Sequence, residues 1–133
     1  MAGLRIDPSD ATPIWSQIEE GVRRLVASGA LAPGVAVPSV RDLASELRVN
    51  PATVAKAYQR LTDAGVLTVR RGEGTYVAQE PPELPRPERT RLLRQAAVRF
   101  ASLAATLGVS AEEAAAALQF AWRSLGREKA GRP

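Results

Sequence analysis

A helix-start signal followed by small and then basic residues lies near the middle of the chain, in VNPATVAKAYQRL at residues 49–61. Asn50 is a strong capping residue, and Pro51 suits the first helical position because its missing N–H would have no partner there. The amino end of a helix carries unpaired N–H groups and a partial positive charge, which attract anions such as phosphate. The small residues Ala52 and Thr53 would let the backbone approach such a ligand, and Lys56 adds a cation one turn later.

The sequence contains few side chains suited to catalysis or metal binding. The sequence contains no Cys and no His, so disulfides, thiolate ligands, imidazole ligands and the commonest general base are absent. Asp42 and Glu46 lie four residues apart on a predicted helix, and we interpret them as a solvated face. We expect no enzyme activity, no metal site and no cofactor.

Basic residues are in excess around the start of the Asn50 helix, although residues 1–80 as a whole are balanced in charge. The 133 residues are 45% hydrophobic and 24% charged, which is typical of one globular domain with or without an appendage. Residues 1–80 hold nine Lys or Arg and nine Asp or Glu, despite a formal net charge of +4 for the whole chain. Residues 41–72 hold six basic and three acidic side chains, and such a local excess is what phosphate contact needs.

Three predicted helices position this local excess of basic residues. The first opens at Thr12-Pro13, with Thr12 as the cap and Pro13 as the first helical residue. The second is capped by Ser39, with an acid three residues later. The third is the Asn50 helix, which ends at Gly65 because glycine tolerates the left-handed conformation that follows many helices. Its inward stripe is Val54, Ala57, Tyr58 and Leu61.

A two-stranded wing is predicted to follow the third helix. Residues 66–70 alternate in polarity like a strand, residues 71–74 form a glycine-containing connection, and residues 75–78 return. A further short edge strand is predicted at residues 4–6. The fold class is therefore mainly α with a small β-hairpin wing, a winged helix-turn-helix followed by a C-terminal two-helix hairpin.

The remaining third of the chain predicts a linker and a dimerisation region. Residues 81–87 contain four prolines, which divide a DNA-binding domain at 1–80 from helices at 88–126 and a flexible tail at 127–133. Two helices have little core of their own, so we expect a twofold homodimer, with packing onto the winged domain as the alternative. The predicted dimerisation residues are Leu92, Leu93, Ala96, Phe100, Leu103, Leu107, Leu118, Ala121, Trp122 and Leu125.

Residues 37–78 resemble the GntR family of bacterial transcription regulators. The resemblance lies in the PS.R.LA, VN..TV...Y..L and RG.GTYV segments of VPSVRDLASELRVNPATVAKAYQRLTDAGVLTVRRGEGTYVA. Most members carry a long C-terminal effector domain. Only residues 88–133 are left here, which resembles the YtrA-type subfamily, whose short helical tail dimerises.

The resemblance implies specific DNA contacts. Arg41 would read DNA near the groove, the tip of the Asn50 helix would approach the bases, and Arg71 with Gly72 would reach the minor groove. Larger polar side chains can occur in the family where this chain has Ala52 and Ala55. The candidate DNA-binding residues are Ser39, Arg41, Asn50, Pro51, Ala52, Thr53, Lys56, Arg60, Arg70, Arg71 and Gly72.

Each candidate also has a purely structural interpretation. The basic residues on the helices would then be solvated charges, Asn50 would be a cap alone, and Arg70 with Arg71 would only protect a sheet edge. Trp15, Tyr58 and Trp122 are interpreted as core residues rather than as platforms for base stacking.

The predicted function is a sequence-specific transcriptional regulator, a homodimeric repressor that occupies a palindromic operator of double-stranded DNA. A nucleoid-type binder without sequence preference and a winged-helix protein-interaction module are the alternatives. A small-molecule effector at the dimer seam or under the wing stays open. The sequence shows neither a signal peptide nor about 18 consecutive apolar residues, so we expect a cytoplasmic protein with no membrane span.

Overall fold

The computed structural model describes the backbone of residues 1–130 and the side chains of residues 1–124. The chain divides into two compact units, Met1–Pro82 and a second that begins at Glu83. In chain order the elements are α1 Ile14–Ala27, α2 Val40–Leu47, α3 Pro51–Asp63, β1 Leu67–Arg70, β2 Gly74–Val77, α4 Arg86–Thr106 and α5 Ala111–Ala130. The mainly α winged helix-turn-helix with a helical hairpin after it is therefore confirmed.

Helix α3 is central to the core of the first unit. It packs against α1, α2 and β1, and its predicted inward stripe is buried throughout. The fully buried side chains Ile18, Leu43 and Val77 come from α1, α2 and β2 respectively. Because every element of this unit contributes to one core, the exposed side of α3 is held in a fixed orientation.

The wing is a short antiparallel hairpin with a third segment beside it. Leu67 pairs with Val77 and Arg70 with Gly74 across β1 and β2. On the other side of β2, Val37 N donates to Thr75 O at 2.9 Å, and Val77 N donates to the carbonyl of residue 35 at 2.8 Å. The segment before α2 therefore covers one edge of the wing.

Two predictions at the amino terminus are wrong. Residues 4–6 do not form a strand; the side chain of Leu4 is buried instead against Gly21, where an added Cβ would clash with it. Helix α1 begins at Ile14, with Pro13 as the cap residue and no side-chain cap. Thr12 lies one residue before the cap position, and its backbone N–H donates to Asp10 Oδ1 at 2.8 Å, which closes a turn before the helix.

The second unit consists of α4 and α5, which contact each other. Helix α4 begins at Arg86, two residues before the predicted start at 88. Gly108 separates the helices with a φ of +74°, and Ser110 Oγ accepts a hydrogen bond from Glu113 N at 3.1 Å at the start of α5, as a capping box predicts. Helix α5 continues past residue 127, where a tail was predicted, and residues 131–133 lie outside the described part.

Candidate nucleic-acid interface

The amino end of α3 is exposed and closed by its own cap. Asn50 Oδ1 accepts a hydrogen bond from Ala52 N at 2.8 Å, and the Asn50 carbonyl accepts one from Thr53 N at 2.9 Å. Asn50, Pro51 and Ala52 are exposed, and Thr53 is half-buried. The predicted cap is confirmed. Because these hydrogen bonds pair the N–H groups of Ala52 and Thr53, the expectation of unpaired N–H groups at this end is wrong. This end would attract phosphate through its partial positive charge and side chains.

The first turn of α2 presents Arg41 to solvent. Ser39 Oγ accepts a hydrogen bond from Asp42 N at 3.0 Å, so Ser39 serves as the helix cap that was predicted. The side chain of Arg41 is exposed in the turn that this cap closes. Arg41 is therefore available for an intermolecular contact, whereas the acceptor role of Ser39 is already used within the protein.

The connection between α2 and α3 is tight because one residue is left-handed. Arg48 takes a φ of +57°, the one positive φ outside glycine in the part of the chain that the structure describes. Val49 N then donates to the carbonyl of Ala44 at 3.0 Å, the wrap of a Schellman-type helix end. A non-glycine residue costs about 1–2 kcal/mol in this conformation. The fold accepts that cost at the turn that sets the direction of α3.

Lys56 and Arg60 both lie over the indole of Trp15 in α1. The Lys56 Nζ is 4.3 Å from the ring centroid and the Arg60 Cζ is 4.8 Å from it, within the range of cation–π attraction. Arg60 Nε also donates to Glu19 Oε2 at 2.7 Å, and Glu19 is only 8% exposed. We call Trp15, Glu19, Lys56 and Arg60 the Trp15 cluster.

Within the Trp15 cluster, the two cations of α3 have different contacts. Arg60 is engaged inside the unit by the carboxylate of Glu19, while Lys56 is exposed and restrained only by the ring. Sequence reasoning missed Glu19, although it lies beside Ile18 on the buried stripe of α1. A buried acid signals a cationic partner, but Arg60 is 41 residues away along the chain. Trp15 is half-buried and packs against the core, close to the prediction for it.

The tip of the wing exposes Arg71 and holds Arg70 in place. Glu73 N donates to Arg70 O at 2.9 Å, and Gly72 takes a φ of +78° at the position where a type II turn favours glycine. The Arg70 Cζ lies 3.9 Å from the centroid of the Tyr76 ring. Arg70 is thus a stacked, half-buried cation, and Arg71 projects from the exposed turn.

The helices of the second unit expose their apolar stripes. No residue between 86 and 124 is buried, and Leu93, Leu107 and Trp122 are 71%, 67% and 73% exposed. The interpretation of Trp122 as a core residue is therefore wrong for the single chain. Leu125 belongs to α5, but its side chain lies outside the described part. The other predicted dimerisation residues are all exposed: Leu92, Leu93, Ala96, Phe100, Leu103, Leu107, Leu118, Ala121 and Trp122.

Neither a metal cluster nor a spanning helix occurs in the part of the chain that the structure describes. No three Asp or Glu side chains gather there as ligands for a metal ion. None of the described helices combines the length and the apolar character that crossing a membrane requires.

Comparisons with known proteins agree with this geometry. A family profile described as "Bacterial regulatory proteins, gntR family" matches residues 15–77, from α1 to the end of the wing. The HTH-type transcriptional repressor YtrA of Bacillus subtilis is 42% identical over 76 residues, which are 57% of this chain and 58% of that protein. The chain thus spans a little over half the length of that relative.

Two solved structures are similar to this chain, and the first of them covers more of it than the first unit alone. YtrA from Sulfolobus acidocaldarius, a GntR-family transcription factor, is 37% identical with a TM-score of 0.57, over 73% of this chain and 99% of that chain. The DNA-binding domain of AraR in complex with operator ORX1 is 27% identical with a TM-score of 0.50, over 56% of this chain and 93% of that chain. From the first helix through the wing, the chain belongs to the GntR family of bacterial regulatory proteins and is similar to its YtrA-type members.

Proposed function

We propose that this protein is a homodimeric repressor that binds a palindromic operator through residues 1–80. One observation carries the proposal: the capped amino end of α3 is exposed, small at Ala52, and accompanied by the exposed cations Arg41, Lys56 and Arg71. A helix end of this kind can enter the major groove, while a basic wing tip lies against the neighbouring backbone or minor groove.

The division of contacts follows from side-chain chemistry. The planar guanidinium of Arg41 can donate two hydrogen bonds to one guanine, a contact that discriminates between bases by about 1–3 kcal/mol. Lys56 and Arg71 supply phosphate contacts, which add affinity at low salt and no sequence preference. The AraR domain in its operator complex is a precedent for a related fold on DNA.

Dimerisation is the proposed role of residues 88–126, joined to the winged helix by a linker at 81–87. The exposed stripes of α4 and α5 would be covered by a second copy, since contiguous apolar surface marks interaction sites and twofold symmetry is the commonest solution. The two copies of α3 would then meet equivalent operator groups about 34 Å apart.

Repression would follow from occupancy of promoter DNA in the cytoplasm. The Bacillus subtilis relative is named as a repressor, which supports this direction of control. A bound dimer and the polymerase would compete for the same duplex, so neither catalysis nor a cofactor is required.

Selection of duplexes from a random pool by the full chain tests the proposal. We expect an inverted repeat, and we expect Arg41→Ala to weaken its binding about tenfold or more, since tenfold corresponds to ~1.4 kcal/mol. Arg24→Ala serves as the control, because it removes an exposed arginine from the last turn of α1. Equal affinity for random duplex would instead indicate a nucleoid-type binder, and a lack of salt-sensitive DNA affinity would indicate a protein-interaction module.

A further inference from the structure

The positive charge of this protein lies mainly outside the winged helix. The unit Met1–Pro82 holds nine basic and nine acidic side chains, so the whole formal surplus of +4 belongs to the remaining residues. Within residues 86–99 there are five arginines and one acid, Glu88. A DNA-binding unit that is neutral overall gains little long-range attraction to a polyanion. The first half of α4 is therefore the strongest basic segment of the chain.

Three of these arginines share one face of α4. Arg86, Arg91 and Arg94 line a shallow open surface together with Pro87, Thr90 and Gln95. We call these six residues the arginine face. At 3.6 residues per turn, this face lies on the side of α4 opposite to the apolar stripe, which contains Leu92, Ala96, Phe100, Leu103 and Leu107.

That opposition determines what stays exposed after dimerisation. A partner copy that covers the apolar stripe leaves the arginine face in solvent. Arg91 donates from Nε to Glu88 Oε2 at 3.1 Å, so part of its charge is compensated. The side chains of Arg86 and Arg94 form no ion pair with any described residue, and both are exposed. These two arginines remain uncompensated cations in the proposed dimer.

We propose that the arginine face binds backbone phosphates of the operator duplex, outside the contacts of the winged helix. The inference rests on the proposed function, because it assigns further contacts to the same DNA. Charge complementarity selects this occupant: three of the six lining residues are arginines and none is acidic, which suits the phosphate backbone of a duplex.

The covalent tether makes the second contact effective. Eight residues separate Val77 at the end of β2 from Arg86, and an extended chain covers at most about 3.6 Å per residue. The tether is therefore shorter than one turn of B-DNA, about 34 Å. Once the wing is bound, the local phosphate concentration near the arginine face is high, so even weak contacts add to the affinity.

Salt dependence of operator binding provides the test. Each phosphate contact adds about 0.9 to the slope of log K against log salt, and a dimer carries two copies of each arginine. We expect Arg86→Ala and Arg94→Ala each to lower the slope by roughly 2 and to weaken operator and scrambled duplex by the same factor. Arg86→Lys and Arg94→Lys should retain the slope, because a phosphate contact needs charge rather than a planar fork.

Arg123→Ala is the matched control. It removes one arginine from the exposed surface of α5 and changes the net charge equally, so it should leave the slope unchanged. Light scattering verifies that every variant has the assembly of the wild type. An unchanged slope in both the Arg86 and the Arg94 variants overturns the inference, as does an equal decrease for Arg123→Ala, which would indicate general charge. A wild-type protein that fails to discriminate operator from scrambled duplex contradicts the proposed function instead.

Discussion

The Nζ of Lys56 lies 4.3 Å from the centroid of the Trp15 ring, so a cation of α3 is held against α1. Ordering a free lysine side chain costs up to about 2 kcal/mol of entropy. The ring removes part of that freedom before any ligand arrives. We therefore infer that Trp15 would position Lys56 for the proposed phosphate contact.

Trp15→Leu should weaken operator binding two- to fivefold, since an exposed cation–π contact contributes about 0.5–1 kcal/mol. Leucine keeps much of the apolar bulk that packs against the core, so the unit should stay folded. Gel-shift titrations of Trp15→Leu, Lys56→Ala and the double variant measure the coupling. Losses that simply add would contradict the positioning role.

Glu19→Gln should destabilise the first unit by about 1–2 kcal/mol, because a neutral amide replaces the buried carboxylate that pairs with Arg60. The loss stays small because solvent around the half-exposed Arg60 screens the pair. Urea unfolding measures this loss, and 1 M NaCl should reduce the difference from wild type. Arg60→Ala should cause a similar loss without changing the salt slope of DNA binding. If the slope falls instead, Arg60 contacts phosphate and its pairing with Glu19 is incidental.

Substitutions of Asn50 can distinguish its role as a helix cap from a role in DNA contact. Asn50→Asp retains a side-chain oxygen for Ala52 N, so stability should stay close to that of wild type, whereas the new negative charge should weaken operator binding by tenfold or more. Asn50→Ala should lose about 1 kcal/mol of stability. Thermal unfolding and gel shifts on the same samples compare the two variants. Full operator affinity in Asn50→Asp would mean that this helix end does not face the duplex.

We expect the first unit to lose stability at alkaline pH because of Tyr58. Burial of the phenol raises its pKa well above the usual value of about 10, with a smaller contribution from the charge of Glu46. Since the raised pKa belongs to the folded state, the stabilisation is complete below pH ~10 and decreases as pH rises further, by up to about 1.4 kcal/mol per pH unit. Urea unfolding between pH 8 and 11 should show this decrease.

Tyr58→Phe should make that pH dependence shallower. At neutral pH the same variant should cost about 1 kcal/mol, because the Tyr58 hydroxyl donates to Pro38 O at 2.7 Å. Tyr76→Phe removes the other phenol and is the control. A Tyr58→Phe protein with the pH profile of wild type would exclude Tyr58 as the source.

Leu103→Glu should dissociate the proposed dimer, because it places a charge within the apolar stripe of α4, where Leu103 is 56% exposed in the single chain. Operator affinity should fall together with dimerisation. Ser102→Glu introduces the same charge at the neighbouring exposed position, off the stripe, and should remain dimeric. Analytical ultracentrifugation measures both, and a dimeric Leu103→Glu protein would place the interface elsewhere.

Local signals in the sequence predicted most of the fold. The caps at Ser39 and Asn50 and the end of α3 before Gly65 depend on residues within a few positions, and the structure confirms them. The strand at 4–6 was wrong because burial of Leu4 against α1 overrides local propensity.

The candidate site was less accessible from the sequence alone. The cap, the exposed arginines and the glycine of the wing follow from residue types at short spacing. The contacts of Arg60 with Glu19 and of Arg70 with Tyr76 depend on how separate elements pack, so no local pattern contains them. Which of the candidate residues contact DNA stays a prediction until the variants above are measured.

The proposed pairing of the exposed apolar stripes would make the second unit dependent on protein concentration. With no buried residue between 86 and 124, the folding free energy of this unit would come largely from pairing, and it would vary with protomer concentration. At a low concentration of the protein, most copies would be monomers that bind DNA weakly. Promoter occupancy would then rise with the square of the expression level. Such a steep response would let a modest change in synthesis rate switch transcription, without a dedicated sensor.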